Sequence, residues 1–186
     1  MARFTFLLLI LLTTLQLTYS QSLPSSKPKK IKFTKHTLHE RMSFYPFNKA
    51  SKVMLISFGP TIDSLDGNKL LRWGLPMIND TISIAALEQV KVLTTREIEK
   101  ITDILYNECA RWTITSKTSM GCYFPRNAIL FLDSVNRTFA YTEVCFECHA
   151  IKSSNDIRGI NECDSIYDEL QLYFRKLGLK TSEAKK

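Results

Sequence analysis

Histidine is scarce in this chain, three among 186 residues. None of the three stands in company that pairs a nucleophile with an acid. The constellation that nucleophilic hydrolysis needs is therefore missing from the sequence pattern. No glycine-rich phosphate loop and no paired-carboxylate pattern takes its place. Glycine and proline number six each, too few for a fibrous or linker-dominated chain. No internal repeat is present, and nothing marks a second domain. Beyond the N-terminal segment, no apolar run approaches the roughly 20 residues that cross a bilayer. These absences lean the reading away from an enzyme and leave the matter open.

What the chain does have begins at its first residue. Arg3 gives a short positive start. Phe4, Phe6, Leu7, Leu8, Leu9, Ile10, Leu11 and Leu12 form an apolar stretch, interrupted at Thr5 and again at Thr13, Thr14 and Gln16. Thr18-Tyr19-Ser20 then places small residues three and one positions before a cut. This is the pattern of a cleaved signal peptide over residues 1–20, with the cut between Ser20 and Gln21. No cysteine sits at the cut, which argues against a bacterial lipoprotein. The expectation is an exported chain, periplasmic or secreted, with no transmembrane segment after cleavage.

Removing 20 of the 186 residues leaves 166, one domain's worth. The formal charge of +7 becomes +6 when Arg3 is lost. Much of the excess sits in Lys27, Lys29, Lys30, Lys32 and Lys35, beside Pro24 and Pro28. Residues 21–50 read as a basic flexible leader. The Lys27–Lys35 stretch offers an electrostatic contact with an anionic surface outside the cytoplasm. Nucleic acid is not an expected partner of an exported chain. Residues 51–179 read as a single domain, and 180–186 as a tail carrying Lys180, Lys185 and Lys186.

Within the domain, Lys52–Phe58 is a strand stopped by Gly59-Pro60. Thr81–Ala85 alternates as a half-buried strand does, and 88–93 is another. Thr94 and Glu97, three apart, form a capping box for a helix running to about Glu108, with Ile98, Ile101 and Leu105 on one face. Trp112–Ser116 reads as a short strand. Ala128–Asp133, apolar on both faces, reads as a central strand. Residues 134–137 connect it to a long partner strand from Thr138 to about His149. A last helix starts near Asp164 or Ser165, buries Ile166, Leu170, Tyr173, Phe174 and Leu177, and closes at Gly178. The predicted class is α+β, an antiparallel sheet with two amphipathic helices packed on it.

Five cysteines follow the signal: Cys109, Cys122, Cys145, Cys148 and Cys163. In an exported chain the default is disulfides, and an odd number leaves one thiol unpaired within the chain. Cys145-Phe-Glu-Cys148-His149 also spells the attachment string of c-type haem. On a continuous strand, however, Cys145 and Cys148 face opposite ways, roughly 10 Å apart. A redox dithiol needs a helix N-terminus to lower a thiol pKa, and none starts at Cys145. Zinc held by Cys122, Cys145, Cys148 and either His149 or Cys163 is a further alternative. With Asp133 opposite Thr138, Cys148 falls opposite Tyr123, next to Cys122. That favours a Cys122–Cys148 bridge, a Cys145–Cys163 bridge and a free Cys109. In the same register Arg126 lies across from Cys145, either contacting an anion or pairing with Glu143 or Glu147. His36 and His39 have the spacing of two helical metal ligands but read as a solvated pair. Asn79-Asp80-Thr81 and Asn136-Arg137-Thr138 match glycosylation sequons, and eight asparagines make such matches unremarkable by chance.

Three stretches carry a resemblance: Leu93–Asn107, Cys122–Asp133 and Tyr141–Ser154, completed by the last helix. Over about Leu93–Leu179 the chain resembles uncharacterised small exported bacterial proteins with a C-Y-x-P-R … C-F-x-C pattern. The resemblance implies export and no particular activity. It also weakens the haem reading, because the residue after C-F-x-C in that group is not always His. The expected function is a non-enzymatic binding or structural domain, braced by disulfides, with a partner in the envelope or outside the cell and no cofactor. The alternative is a redox, metal or haem protein using Cys145, Cys148 and His149.

Overall fold

Two threonines set the starts of two helices. In the computed structural model, which describes residues 31–65, 68–72, 74–78, 81–112, 121–154, 157 and 159–181, α1 spans Leu38–Ser43 and α2 spans Thr95–Asn107. Thr37 and Thr94 cap them. At α2 the Thr94 N–H donates to Glu97 Oε2 at 2.7 Å, and the Glu97 N–H returns to Thr94 Oγ1 at 3.4 Å. Two of the four orphan amides of the first turn are thereby satisfied. The third helix, α3, spans Asp164–Lys176 and ends on Gly178 at φ +85°, where only glycine is unstrained.

Nine strands accompany them among the described residues. They are β1 (Lys52–Phe58), β2 (Thr61–Leu65), β3 (Asn68–Arg72), β4 (Met77–Ile78), β5 (Thr81–Ile82), β6 (Leu87–Val92), β7 (Asn127–Leu132), β8 (Thr138–Cys145) and β9 (Ala150–Ser153). Five form one antiparallel sheet in the order β6-β1-β7-β8-β9. The fold is α+β. Every residue of β7 is buried, as its unbroken apolar run requires of a strand covered on both faces.

Strand alternation sorts the core into two layers. Val53, Leu55, Ile129, Phe131 and Val144 face the helices, against Ile101, Ile104, Leu105, Ile166, Leu170 and Phe174. Met54, Ile56, Phe58, Ala128 and Leu130 face the other way, under Leu75 and Ile82.

Several expectations need correction. The flexible leader does not reach residue 50. Phe47 is buried, with its ring edge-on to Phe131 at 5.0 Å and to Tyr106 at 6.1 Å. Arg41 donates to the His36 carbonyl at 2.9 Å and lies 3.5 Å from Asp103 on α2. The lysines masked an aromatic stretch, Phe44, Tyr45 and Phe47, whose burial outweighs the ordering entropy of the segment. His36 precedes the N-cap of α1, so it shares no helical face with His39. Its ring packs edge-on to Phe44 at 5.1 Å. Residues 1–30, with the expected cut at Ser20 and Gln21 and with Lys27, Lys29 and Lys30, lie outside the described residues; Lys32 and Lys35 are exposed.

Thr81–Ala85 is a two-residue strand followed by a 3-10 turn at Ile84–Ala86. Trp112 is a bend, and residues 113–116 lie outside the described residues, as do Asn79 and Asp80 of the first sequon. Asn136 of the second sequon sits exposed in the β7–β8 turn at φ +62° and accepts from Lys52 Nζ at 2.6 Å. Asp133 belongs to that turn rather than to the ladder. Its carboxylate accepts the Val135 and Arg137 N–H groups at 3.0 and 2.9 Å. Leu132 therefore pairs with Thr138 across a bulge, and the expected register resumes from Phe131 opposite Ala140 to Asn127 opposite Val144.

Candidate functional site: a cysteine turn and a cationic cleft at one sheet end

The antiparallel registers bring the C-terminal ends of β1 and β8 together with the N-terminal ends of β6, β7 and β9. Both the cysteine motif and Arg126 lie at this end.

The motif is not in a strand. β8 stops at Cys145, residues 146–149 form a tight turn, and β9 returns from Ala150 opposite Cys145. His149 takes the left-handed conformation, φ +47°, that closes the turn. The sequence hid this, because Phe-Glu-Cys-His carries none of the Gly, Asn or Pro that announces a turn. What the turn gains is burial of Phe146, 3% exposed and edge-on to Phe174 at 5.6 Å. Cys145 and Cys148 are therefore not held on opposite faces of one strand.

Cys148 is bonded to Cys122, with Cα atoms 5.5 Å apart, so the bridge closes the open end of the β7–β8 hairpin. Cys163 pairs with Cys109, not with Cys145, at a Cα separation of 5.7 Å. That bond ties the turn after α2 to the N-cap of α3. The unpaired thiol is Cys145 rather than Cys109. The proximity of Cys109 to Cys163 depends on how α2 packs beside α3, which strand register alone does not give.

Cys145 is 1% exposed. Its sulfur accepts the Phe124 N–H at 3.4 Å and backbone N–H groups of Cys148 and Glu147. Burial pushes the thiol above its ordinary range, and these amides oppose the shift without cancelling it. His149 is turned onto α3. Its ring stacks on Tyr167 at 4.9 Å and 10°, and Nδ1 lies 3.5 Å from Asp164 Oδ1. The Tyr167 hydroxyl donates to Glu162, and burial followed by that carboxylate raises the phenol pKa.

The five residues considered for zinc are thus divided. Cys163 is committed to Cys109 and His149 to Tyr167, leaving Cys122, Cys145 and Cys148 together. Among the described residues, no group of three or more His, Cys, Asp or Glu is arranged to hold a metal ion. As bridged, the motif offers one free thiol where covalent haem needs two.

Arg126 does not extend the ladder opposite Cys145. Its carbonyl accepts the Phe58 N–H at 2.9 Å, and the residue lines a cleft of about 290 Å³ with Ser57, Phe58, Gly59, Glu88 and Lys180. Glu143, one expected partner of Arg126, has its two oxygens on the Leu75 N–H at 2.7 Å and the Tyr123 hydroxyl at 2.9 Å. Lys152 lies over the Tyr123 ring at 3.7 Å.

The cleft is held by residues that the sequence reading passed over. The fully buried Asn127 donates through Nδ2 to the Lys180 carbonyl at 2.8 Å. Gln89 Oε1 accepts the Lys180 N–H at 2.6 Å and the Ser57 hydroxyl at 3.1 Å. Lys180 and Thr181 are therefore docked rather than part of a free tail, while residues 182–186 lie outside the described ones. Lys180 Nζ stands 4.0 Å from Glu88 Oε2. A Cβ at Gly59 would lie 2.9 Å from Glu88 Oε1, the end of a half-exposed side chain that can swing aside. The Gly59-Pro60 pair, read only as a strand stop, was the available signal of this close approach.

No family model matches this chain, and comparison with curated proteins and with solved structures likewise gives no match. Among the described residues no helix is long and apolar enough to cross a membrane.

Proposed function

We propose that this chain is an exported, disulfide-braced, non-enzymatic binding domain that takes a small oxyanion in the cleft between Arg126 and Lys180. The cleft carries the proposal. It places Arg126 and Lys180 around a volume of about 290 Å³ on a fixed backbone. A guanidinium suits carboxylate or phosphate oxygens as a two-pronged donor, and the charge of Glu88, which lines the same cleft, opposes multiply charged anions most. The N-terminal apolar segment, the resemblance to exported bacterial proteins and the two disulfides all support export. The partner belongs to the cell envelope or the medium, and the basic Lys27–Lys35 stretch adds contact with an anionic surface.

Calorimetric titration of the folded protein with inorganic phosphate, and separately with acetate, tests the reading. The expected result is one saturable site for at least one anion, with Kd of about 1 mM or tighter. Arg126→Gln should weaken it while leaving the far-ultraviolet circular dichroism unchanged. No saturable heat with either anion, or equal binding by the Arg126→Gln protein, would overturn it.

A further inference from the structure

The cysteine turn holds a feature that a purely bracing role does not use. A free thiol lies within hydrogen-bond reach of the backbone beside both halves of a disulfide. Cys145 Sγ accepts backbone N–H groups from Cys148, which is half of the bridge, and from Phe124, two residues beyond the other half, Cys122. Cys145 Sγ thus sits against the backbone of both arms of the bridge. The second bridge, Cys109–Cys163, leaves Cys122, Cys145 and Cys148 to one another.

We infer that the three form a thiol–disulfide exchange site, in which Cys145 and Cys122 compete for Cys148. Cys145 gives up its proton, and its thiolate attacks Cys148 Sγ. The Cys145–Cys148 bond forms as the Cys122–Cys148 bond breaks. The electron pair leaves on Cys122 Sγ, which takes up the proton. One sulfur–sulfur bond replaces another, so no oxidant or reductant enters. A four-residue turn that already folds Cys148 back onto Cys145 accommodates the new bond. The amides of Phe124, Cys148 and Glu147 at Cys145 Sγ favour the attacking thiolate against the larger opposing effect of burial.

The exchange has a consequence in exposure. Cys145 and Cys148 are each 1% exposed, whereas Cys122 is half-buried beside the exposed Gly121. Exchange moves the thiol from a sealed strand end to a loop that solvent reaches. The reactants such a site takes are small thiols and disulfides, which meet Cys122 as a free thiol only in the exchanged form. This site is separate from the Arg126–Lys180 cleft, and its fate does not depend on anion binding.

The test is time-resolved trapping of the intact oxidised protein in native buffer with iodoacetamide, quenched with acid and mapped without reduction. The expected result is that label accumulates mainly on Cys122, together with a linked Cys145–Cys148 peptide. Cys145→Ala should abolish labelling of Cys122. Label confined to Cys145, no label short of unfolding, or label appearing equally on Cys109 and Cys163 would overturn the inference. The wild-type map decides the matter even if the variant does not fold.

Discussion

Removing the Cys109–Cys163 bridge isolates how much of this fold depends on tying α2 to α3. The two cysteines stand 54 residues apart. Closing a loop of that length removes about 14 cal/mol/K from the unfolded chain, or about 4 kcal/mol at 25 °C. The Cys122–Cys148 loop spans 26 residues, and the same relation gives about 3.5 kcal/mol. A domain of this size has a total stability of about 5–15 kcal/mol, so the first bridge is a large share of it. The paired variant Cys109→Ala/Cys163→Ala should melt about 8–16 °C lower, at about 2–4 °C per kcal/mol. Its urea m-value should rise, because the unfolded chain expands once the loop opens. Equilibrium urea unfolding of the oxidised wild type and of the variant measures both quantities. A loss below about 1 kcal/mol with an unchanged m-value would refute the loop-closure reasoning. So would a greater loss from Cys122→Ala/Cys148→Ala.

Phe47→Ala tests whether the segment before β1 belongs to the domain. A buried ring against Phe131 and Tyr106 should cost about 3–5 kcal/mol on truncation, read from the urea midpoint, whereas a solvated leader would show no change. Glu97 supplies an acid limb to stability. The Thr94 backbone N–H holds its carboxyl below the usual range; burial opposes this, and Lys91 and the Thr94 hydroxyl add to the lowering. Its folded pKa is therefore depressed, so its contribution is present above the unfolded pKa and is lost as pH falls through the folded one. Glu97→Gln should flatten the fall in melting temperature over that acid range. An unchanged slope would remove Glu97 from the account.

Where local chemistry decides structure, the sequence was readable. The capping box of α2, the glycine stop of α3, the strand Lys52–Phe58 and the fully apolar β7 each follow from a few neighbouring residues. The hairpin register was also readable, and with it the approach of Cys122 to Cys148, even though a bulge at Leu132 shifts the pairing beside the turn. Features that depend on distant packing were not. Cys109 meets Cys163 through helix placement, and Phe47 is buried by strands that follow it in the chain. The Cys145–His149 turn was hidden because its left-handed residue is a histidine. The cleft escaped for a related reason. Arg126 was noticed, but Lys180 looked like tail, and only Asn127 and Gln89, both placed by the folded sheet, hold it beside Ser57 and Glu88.

The central claim is that export makes the cysteines the bracing of a binding domain. A non-reducing peptide map of the protein recovered from outside the cytoplasm, with thiols blocked after rapid acid quenching, tests it most directly. The account expects a chain beginning at Gln21, with Cys109 linked to Cys163, Cys122 linked to Cys148 in the dominant species, and a single blocked thiol at Cys145. A chain retaining residues 1–20, or one with all five thiols blocked, would contradict it.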